Sequence, residues 1–175
     1  MARIDENLKD CRNRNIFAVS VTIAILLASA LLVTYYVALR PTSSGYMTIY
    51  LLDSHQKGTD YPDFLVSNVN STFSVYVEIE NHMGQTINGT QVQVKIAGNN
   101  VNPEFPLDVN ATQTFVGAVT DGKTWESIAT ITLNQPGSYL VDFELWVPNG
   151  ATGELEFSGE FCVLNIEVAS GNLIA

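Results

Sequence analysis

The sequence predicts an all-β antiparallel sandwich of about seven strands, preceded by a single N-terminal transmembrane α-helix. Three observations predict it. A charge-free apolar run extends from Ile16 to Leu39. Beyond it, period-2 alternation of apolar and polar residues dominates. Turn-forming clusters separate the alternating stretches at short intervals. The expected layout is a head over 1–15, a helix over 16–39, a tether over 40–46, a sandwich over 47–168 and a tail over 169–175.

The apolar run has 24 residues. At about 1.5 Å per residue a helix of that length spans roughly 36 Å, enough to cross a hydrocarbon core of about 30 Å with some tilt. Arg3, Lys9, Arg12 and Arg14 precede the run, and only Arg40 and Lys57 follow it closely. The cationic bias puts the N-terminus in the cytoplasm and the body outside. Tyr35 and Tyr36 suit the headgroup level at the far end. A cleaved signal peptide is the rival reading, with Ala28-Ser29-Ala30 as its cleavage site. Cutting there would leave Leu31 to Leu39 as an exposed apolar stub. A pilin-type N-terminus would place Gly or Ala after a basic residue just before the helix, and Cys11-Arg12-Asn13-Arg14-Asn15 lacks that pattern. Ser20, Ala24 and Ala28 form a stripe of small residues at i, i+4, i+8, a face on which a second membrane helix can pack closely. Ile4, Leu8 and Cys11 share a face of the head, which suits an N-terminal extension of the helix.

The body from Pro41 has three cations, Lys57, Lys95 and Lys123, against 15 carboxylates. So acidic a surface disfavours nucleic acid, which needs clustered Lys and Arg, and anionic lipid heads equally. The expected partners are the bilayer and membrane-protein subunits or a second copy of the chain. Asn70, Asn88 and Asn110 each open an N-x-Ser/Thr sequon, and all three lie in the body. Cys11 and Cys162 fall on opposite sides of the membrane and cannot pair, so the body relies on its core alone.

Met47 to Asp53 reads as a first strand. In the second, Phe73, Val75, Val77 and Ile79 alternate with Ser74, Tyr76, Glu78 and Glu80. The turn Asn81-His82-Met83-Gly84-Gln85 leads to Val92, Val94 and Ile96 alternating with Gln91, Gln93 and Lys95. Phe115 to Val119 and Trp125 to Leu133 follow, separated by Asp121-Gly122. After Asn134-Gln135-Pro136-Gly137, Tyr139, Val141, Phe143, Leu145 and Val147 oppose Asp142, Glu144 and Trp146. From Gly153 to Val168 the apolar phase changes near Gly159, which implies a bulge or a crossing between sheets. The pattern suits an immunoglobulin-like sandwich, and Gly137-Ser138-Tyr139 resembles its tyrosine corner.

From Tyr61 to Val147 the order of features resembles an archaeal family of membrane-anchored proteins, domain of unknown function 1616. The stretches that carry the likeness are Tyr61-Pro62, Val75 to Gly84, Asn88-Gly89-Thr90, Gly122 to Glu126 and Gln135-Pro136-Gly137. They cover roughly half the chain. Family members often carry several membrane helices before this domain, where this chain has one. The resemblance implies an external sandwich on an archaeal surface and brings no activity with it.

No catalytic constellation is present and no cofactor is expected. Cys162 has no following His or Met, which a copper site of the oxidase type needs. His82 reads as a turn residue bonding to backbone. Asp53, Asp60 and Asp63 are candidates for a calcium loop, although no recognised loop pattern accompanies them. Glu78/Glu80, Asp142/Glu144 and Glu154/Glu156 are i, i+2 pairs, which alternation puts on exposed strand faces. By the same alternation Tyr76, Leu140 and Trp146 point outward, as partner contacts or as residues covered by a loop of their own domain.

Overall fold

A computed structural model describes residues 2–38, 45–98 and 103–171. It separates into two compact units, Met1–Ser44 and Gly45–Ala175.

The first unit is one helix, α1 (Ala2–Ala38). It continues through the expected head, as the spacing of Ile4, Leu8 and Cys11 suits. Val19–Val37 is long and apolar enough to cross a membrane by length and composition, at about 28 Å for its 19 residues. None of its surface is buried in the chain. The hydroxyls of Ser29 and Thr34 donate back to the carbonyls of Ile25 and Ala30, both at 2.8 Å. These two hydroxyls are thereby satisfied within the helix. Ser20, Ala24 and Ala28 are exposed along it. Leu39 and most of the expected tether lie outside the described residues, as does the side chain of Cys11.

The second unit has eight strands: β1 (Met47–Leu52), β2 (Phe64–Val66), β3 (Thr72–Asn81), β4 (Ile87–Gly98), β5 (Ala111–Val119), β6 (Lys123–Thr132), β7 (Gly137–Pro148) and β8 (Leu155–Ala169). A three-stranded sheet runs β1-β3-β6, and a five-stranded sheet runs β2-β8-β7-β4-β5. Facing side chains fill the space between them. Val75, Val77, Ile79, Ala129 and Ile131 come from one sheet, and Val92, Val94, Val141, Phe143 and Leu145 from the other. This is the expected immunoglobulin-like sandwich.

Two details depart from expectation. β2 was not foreseen; three residues carry too little alternation to signal a strand. It pairs in parallel with the end of β8, so the five-stranded sheet is mixed at that edge. The C-terminal stretch is one strand, and its phase change is a bulge. Glu144 and Trp146 on β7 face Phe161 and Phe157 on β8, leaving extra residues around Gly159, whose φ is 88°.

Local chemistry fixes the ends of the strands. The Tyr139 hydroxyl donates to the Gln135 carbonyl at 3.0 Å, the bond of a tyrosine corner. Asn81 is fully buried; its amide donates to the carbonyls of Val119 at 2.6 Å and Gln85 at 2.8 Å, pinning the β3–β4 turn to the end of β5. Trp125 lies over Gly117, closing the side of the sandwich where β5 and β6 are the two edge strands.

Candidate functional site

The two outer faces of the sandwich differ in kind. On the three-stranded sheet the outer face is open. Leu52, Tyr76 and Ile128 are register partners across β1, β3 and β6 and form one apolar row. Leu52 and Tyr76 are half-buried and Ile128 is 52% exposed. The next row is Tyr50, Glu78 and Glu126. Glu78 and Glu126 are directly opposed carboxylates, an unfavourable cross-strand pair. Partial burial, and then the charge of Glu126, hold the Glu78 carboxyl above its usual range. In the third row Glu80 accepts from the Tyr50 hydroxyl at 2.6 Å and pairs with His82 Nε2 at 2.7 Å. The Tyr50 bond, then His82, lower the Glu80 carboxyl. Desolvation and the Glu80 contact push Tyr50 up to about 12. His82 is therefore a carboxylate partner through its side chain, where a backbone contact was expected. The ring also packs on Tyr46, with centroids 4.8 Å apart.

On the five-stranded sheet the outer face is covered over part of β4 and β7, while β5 stays open, with Val116 60% exposed. Residues 103–110, before β5, cross that part as a strap, with Phe105 stacked on Phe161 at 3.9 Å and Leu107 buried. This decides one alternative and overturns one expectation. Leu140 is 6% exposed, lining a cavity under the strap with Leu107, Val109 and Pro103, so it is no outward contact point. Asp142 and Glu144 are fully buried rather than solvated. β7 is the middle strand of its sheet, and the strap buries its second face too.

Beneath the strap lies a charged cluster. Lys95 Nζ sits 2.8 Å from Glu144 Oε2 and donates to the Leu107 carbonyl at 2.7 Å. The Leu107 N–H donates to Glu144 Oε1 at 2.6 Å, and the Trp146 indole N–H to Oε2 at 2.9 Å. The Lys95 ammonium also lies 5.5 Å from the Trp146 ring centre. Trp146 is thus half-buried and engaged inside the domain. Asp142 stands directly opposite Lys95 across β4 and β7; its oxygens accept no hydrogen bond, and the Glu144 carboxyl is its close polar neighbour. Desolvation, then the neighbouring Glu144, push its carboxyl up to about 8. The only sequence signal for this cluster was a lysine within a strand of a body poor in cations.

Asp53, Asp60 and Asp63 are not brought together as a cation site. Asp53 is 4% exposed and accepts the N–H groups of His55 at 2.8 Å and Lys57 at 2.9 Å, closing its own turn. Those bonds, Lys57 first, hold its carboxyl below the usual range. Asp60 and Asp63 are exposed. Among the described residues, no group of three or more His, Cys, Asp or Glu is placed to hold a metal ion. Glu154 and Glu156 are exposed. Asn70, Asn88 and Asn110 are all exposed, the access a glycan needs. The Cys162 thiol faces inward and donates to the Ile49 carbonyl at 3.3 Å; burial pushes it up to about 11.

The architecture is similar to that of solved CARDB domains. One, a crystal structure from Pyrococcus furiosus in complex with di-metal ions, is 15% identical with a TM-score of 0.50, covering 73% of this chain and 90% of that one. A solution structure of the same Pyrococcus furiosus domain is 15% identical with a TM-score of 0.49, covering 71% of this chain and 95% of that one. A Listeria innocua β-glucosidase matches at 14% identity and a TM-score of 0.48, over 73% of this chain but only 16% of its own. At these identities the likeness is one of fold. No family model matches the chain, and no curated protein does.

Proposed function

We propose that this chain is a non-enzymatic, single-pass membrane protein whose external sandwich binds a partner protein through the open face of its three-stranded sheet. In this reading it is an accessory subunit of a membrane or envelope complex, with the N-terminus cytoplasmic. One observation carries the docking face: the apolar row Leu52, Tyr76 and Ile128 runs beside the opposed carboxylates Glu78 and Glu126. A partner presenting an apolar strip flanked by Lys or Arg would bury the row and neutralise the pair. The apolar helix Val19–Val37 supports anchoring, and the small-residue stripe Ser20, Ala24 and Ala28 gives a partner helix a surface to meet. The archaeal surface family named above fits the same reading, as does use of the exposed sequons.

The test is capture of the tagged chain from its native membranes in mild detergent, with mass spectrometry of what accompanies it. A stoichiometric membrane partner, lost when Glu78→Lys and Tyr76→Ala are introduced, is the expected result. Recovery of the chain alone would overturn the subunit reading and favour a stand-alone adhesion or glycan-binding module. Recovery with itself only, after N-terminal processing, would favour a filament subunit.

A further inference from the structure

The cluster under the strap has an imbalance that an ion pair does not resolve. Three ionisable side chains, Lys95, Asp142 and Glu144, are buried on the outward side of two central strands. One cation faces two carboxyl groups. Glu144 pairs with the Lys95 ammonium, which also donates to the Leu107 carbonyl, while Asp142, fully buried, has no donor of its own. A buried polar group without a partner is costly, and natural structures hold few of them. The groups packed around the three are the Leu107 backbone, the Trp146 indole and the apolar side chains Leu140 and Phe161. Among the described residues none of these supplies Asp142 with a hydrogen bond.

We propose that Lys95 and Asp142 become joined by an intramolecular amide between Nζ and Cγ, with Glu144 as the group that moves the proton. Lys95 and Asp142 are register partners on β4 and β7, so both side chains leave the same face. Directly opposed Cβ atoms lie about 4.5–5.5 Å apart, a span the four-carbon lysine stem covers. Turning the outer torsions of Lys95 takes Nζ from Glu144 onto the Asp142 carboxyl. The arrangement described above is that of the unreacted groups.

The chemistry balances with these residues alone. Glu144, 2.8 Å from Nζ, takes one proton from the ammonium and leaves a neutral amine. Asp142 holds its proton at neutral pH, because burial raises its carboxyl, and a neutral acid is the electrophile an amine can attack. The N–C bond forms and a tetrahedral centre appears. Proton transfer from nitrogen to the departing hydroxyl, relayed by Glu144, breaks the C–O bond and releases one water. The products are a neutral amide, a neutral Glu144 acid and that water, so no charge or atom is left over. A shallow cleft lined by Lys95, Leu107 and Trp146 opens beside the amine and lets the water leave. The product removes a buried ammonium and a buried carboxylate, whose desolvation opposes the unreacted state. It also ties together the two middle strands of the sheet, which suits a domain held at a surface.

The test is mass spectrometry of the full chain, made in a host that leaves sequons unmodified, purified in detergent and then denatured. The expected mass is that of the sequence less one water. After proteolysis, one branched peptide should join the segments containing Lys95 and Asp142. Lys95→Arg, Asp142→Ala and Glu144→Gln should each restore the full sequence mass. Circular dichroism of Glu144→Gln distinguishes loss of the proton carrier from loss of the fold. Wild-type chain at full sequence mass, with Lys95 and Asp142 in separate linear peptides, would overturn the proposal. So would a water loss that maps to Asp121-Gly122, where backbone cyclisation gives the same mass change.

Discussion

Gly117→Ala probes the contact that closes one side of the sandwich. A Cβ at position 117 would lie 2.5 Å from Cε2, 2.8 Å from Cζ2 and 2.9 Å from Cδ2 of the Trp125 indole. Carbon atoms pack at about 3.5–4.0 Å, so the ring must retreat by roughly an ångström. β5 and β6 belong to different sheets, and the Asp121-Gly122 turn ties them closely together, which limits the retreat. Overpacking of this kind costs about 1–3 kcal/mol. Replacing glycine also restricts the unfolded chain and returns about 0.4–1 kcal/mol. The expected net destabilisation is about 1–2 kcal/mol. Urea unfolding of the full chain in detergent, followed by far-ultraviolet circular dichroism, measures it without relying on the tryptophan being altered. Trp125→Leu in the Gly117→Ala background should relieve the clash, giving a coupling energy of about 1 kcal/mol in a double-mutant cycle. A Gly117→Ala chain as stable as wild type, or additive effects of the two changes, would refute the seating of the indole on this glycine.

Lys95→Met removes the only cation from the strapped cluster and also prevents the proposed amide. At neutral pH it should destabilise by about 3–5 kcal/mol, the cost of stranding a buried partner charge. The loss should shrink with acidification. Asp142 is raised to about 8 with Lys95 present, and removing the cation takes away an opposing influence; its contribution is therefore fully present below the unfolded carboxylate value and is lost as pH rises from there. Denaturant midpoints between pH 4 and 8 check the sign, and a variant that gains stability as pH rises through that window would contradict it. Cys162, half-buried and raised to about 11, should resist maleimide at pH 7 in a Cys11→Ser chain until the sandwich unfolds; prompt labelling of folded protein would be the contrary outcome. Glu126→Gln relieves the opposed pair on the open face. It should stabilise the isolated chain by about 0.2–1 kcal/mol and weaken capture of the partner, read by thermal unfolding and by pull-down.

Legibility in the sequence followed solvation. β3 was readable because its sheet has one wet face: Val75, Val77 and Ile79 go to the core while Ser74, Tyr76, Glu78 and Glu80 do not. The same period-2 signal in β7 gave the right strand and the wrong environment. Val141, Phe143 and Leu145 face the core as read, but Leu140, Asp142 and Glu144 are buried as well. Alternation reports which residues share a face; it does not report whether something covers the other face. That depends on strand order, and on a strap whose single buried leucine, Leu107, has no period to announce it. The Tyr139 corner and the Gly159 bulge were legible because each rests on local geometry. Asp53 misled for the converse reason: a carboxylate within a loop looks the same in sequence whether it binds a cation or, as here, its own backbone.

The two outer faces handle negative charge in opposite ways, and this bears on where a partner can act. Under the strap the charge is settled internally: Glu144 has Lys95, the Leu107 N–H and the Trp146 N–H, and Asp142 keeps its proton. The cluster is closed off from an outside group, so whatever Asp142 lacks must be met within the domain. On the open sheet Glu80 is settled by Tyr50 and His82, while Glu78 and Glu126 confront each other beside a half-exposed apolar row. The body has only three cations, one of them committed beneath the strap. A surface that leaves two opposed carboxylates next to an apolar strip is less stable alone than with a basic, apolar counterpart seated on it. The cost is borne on the face that a second protein can reach.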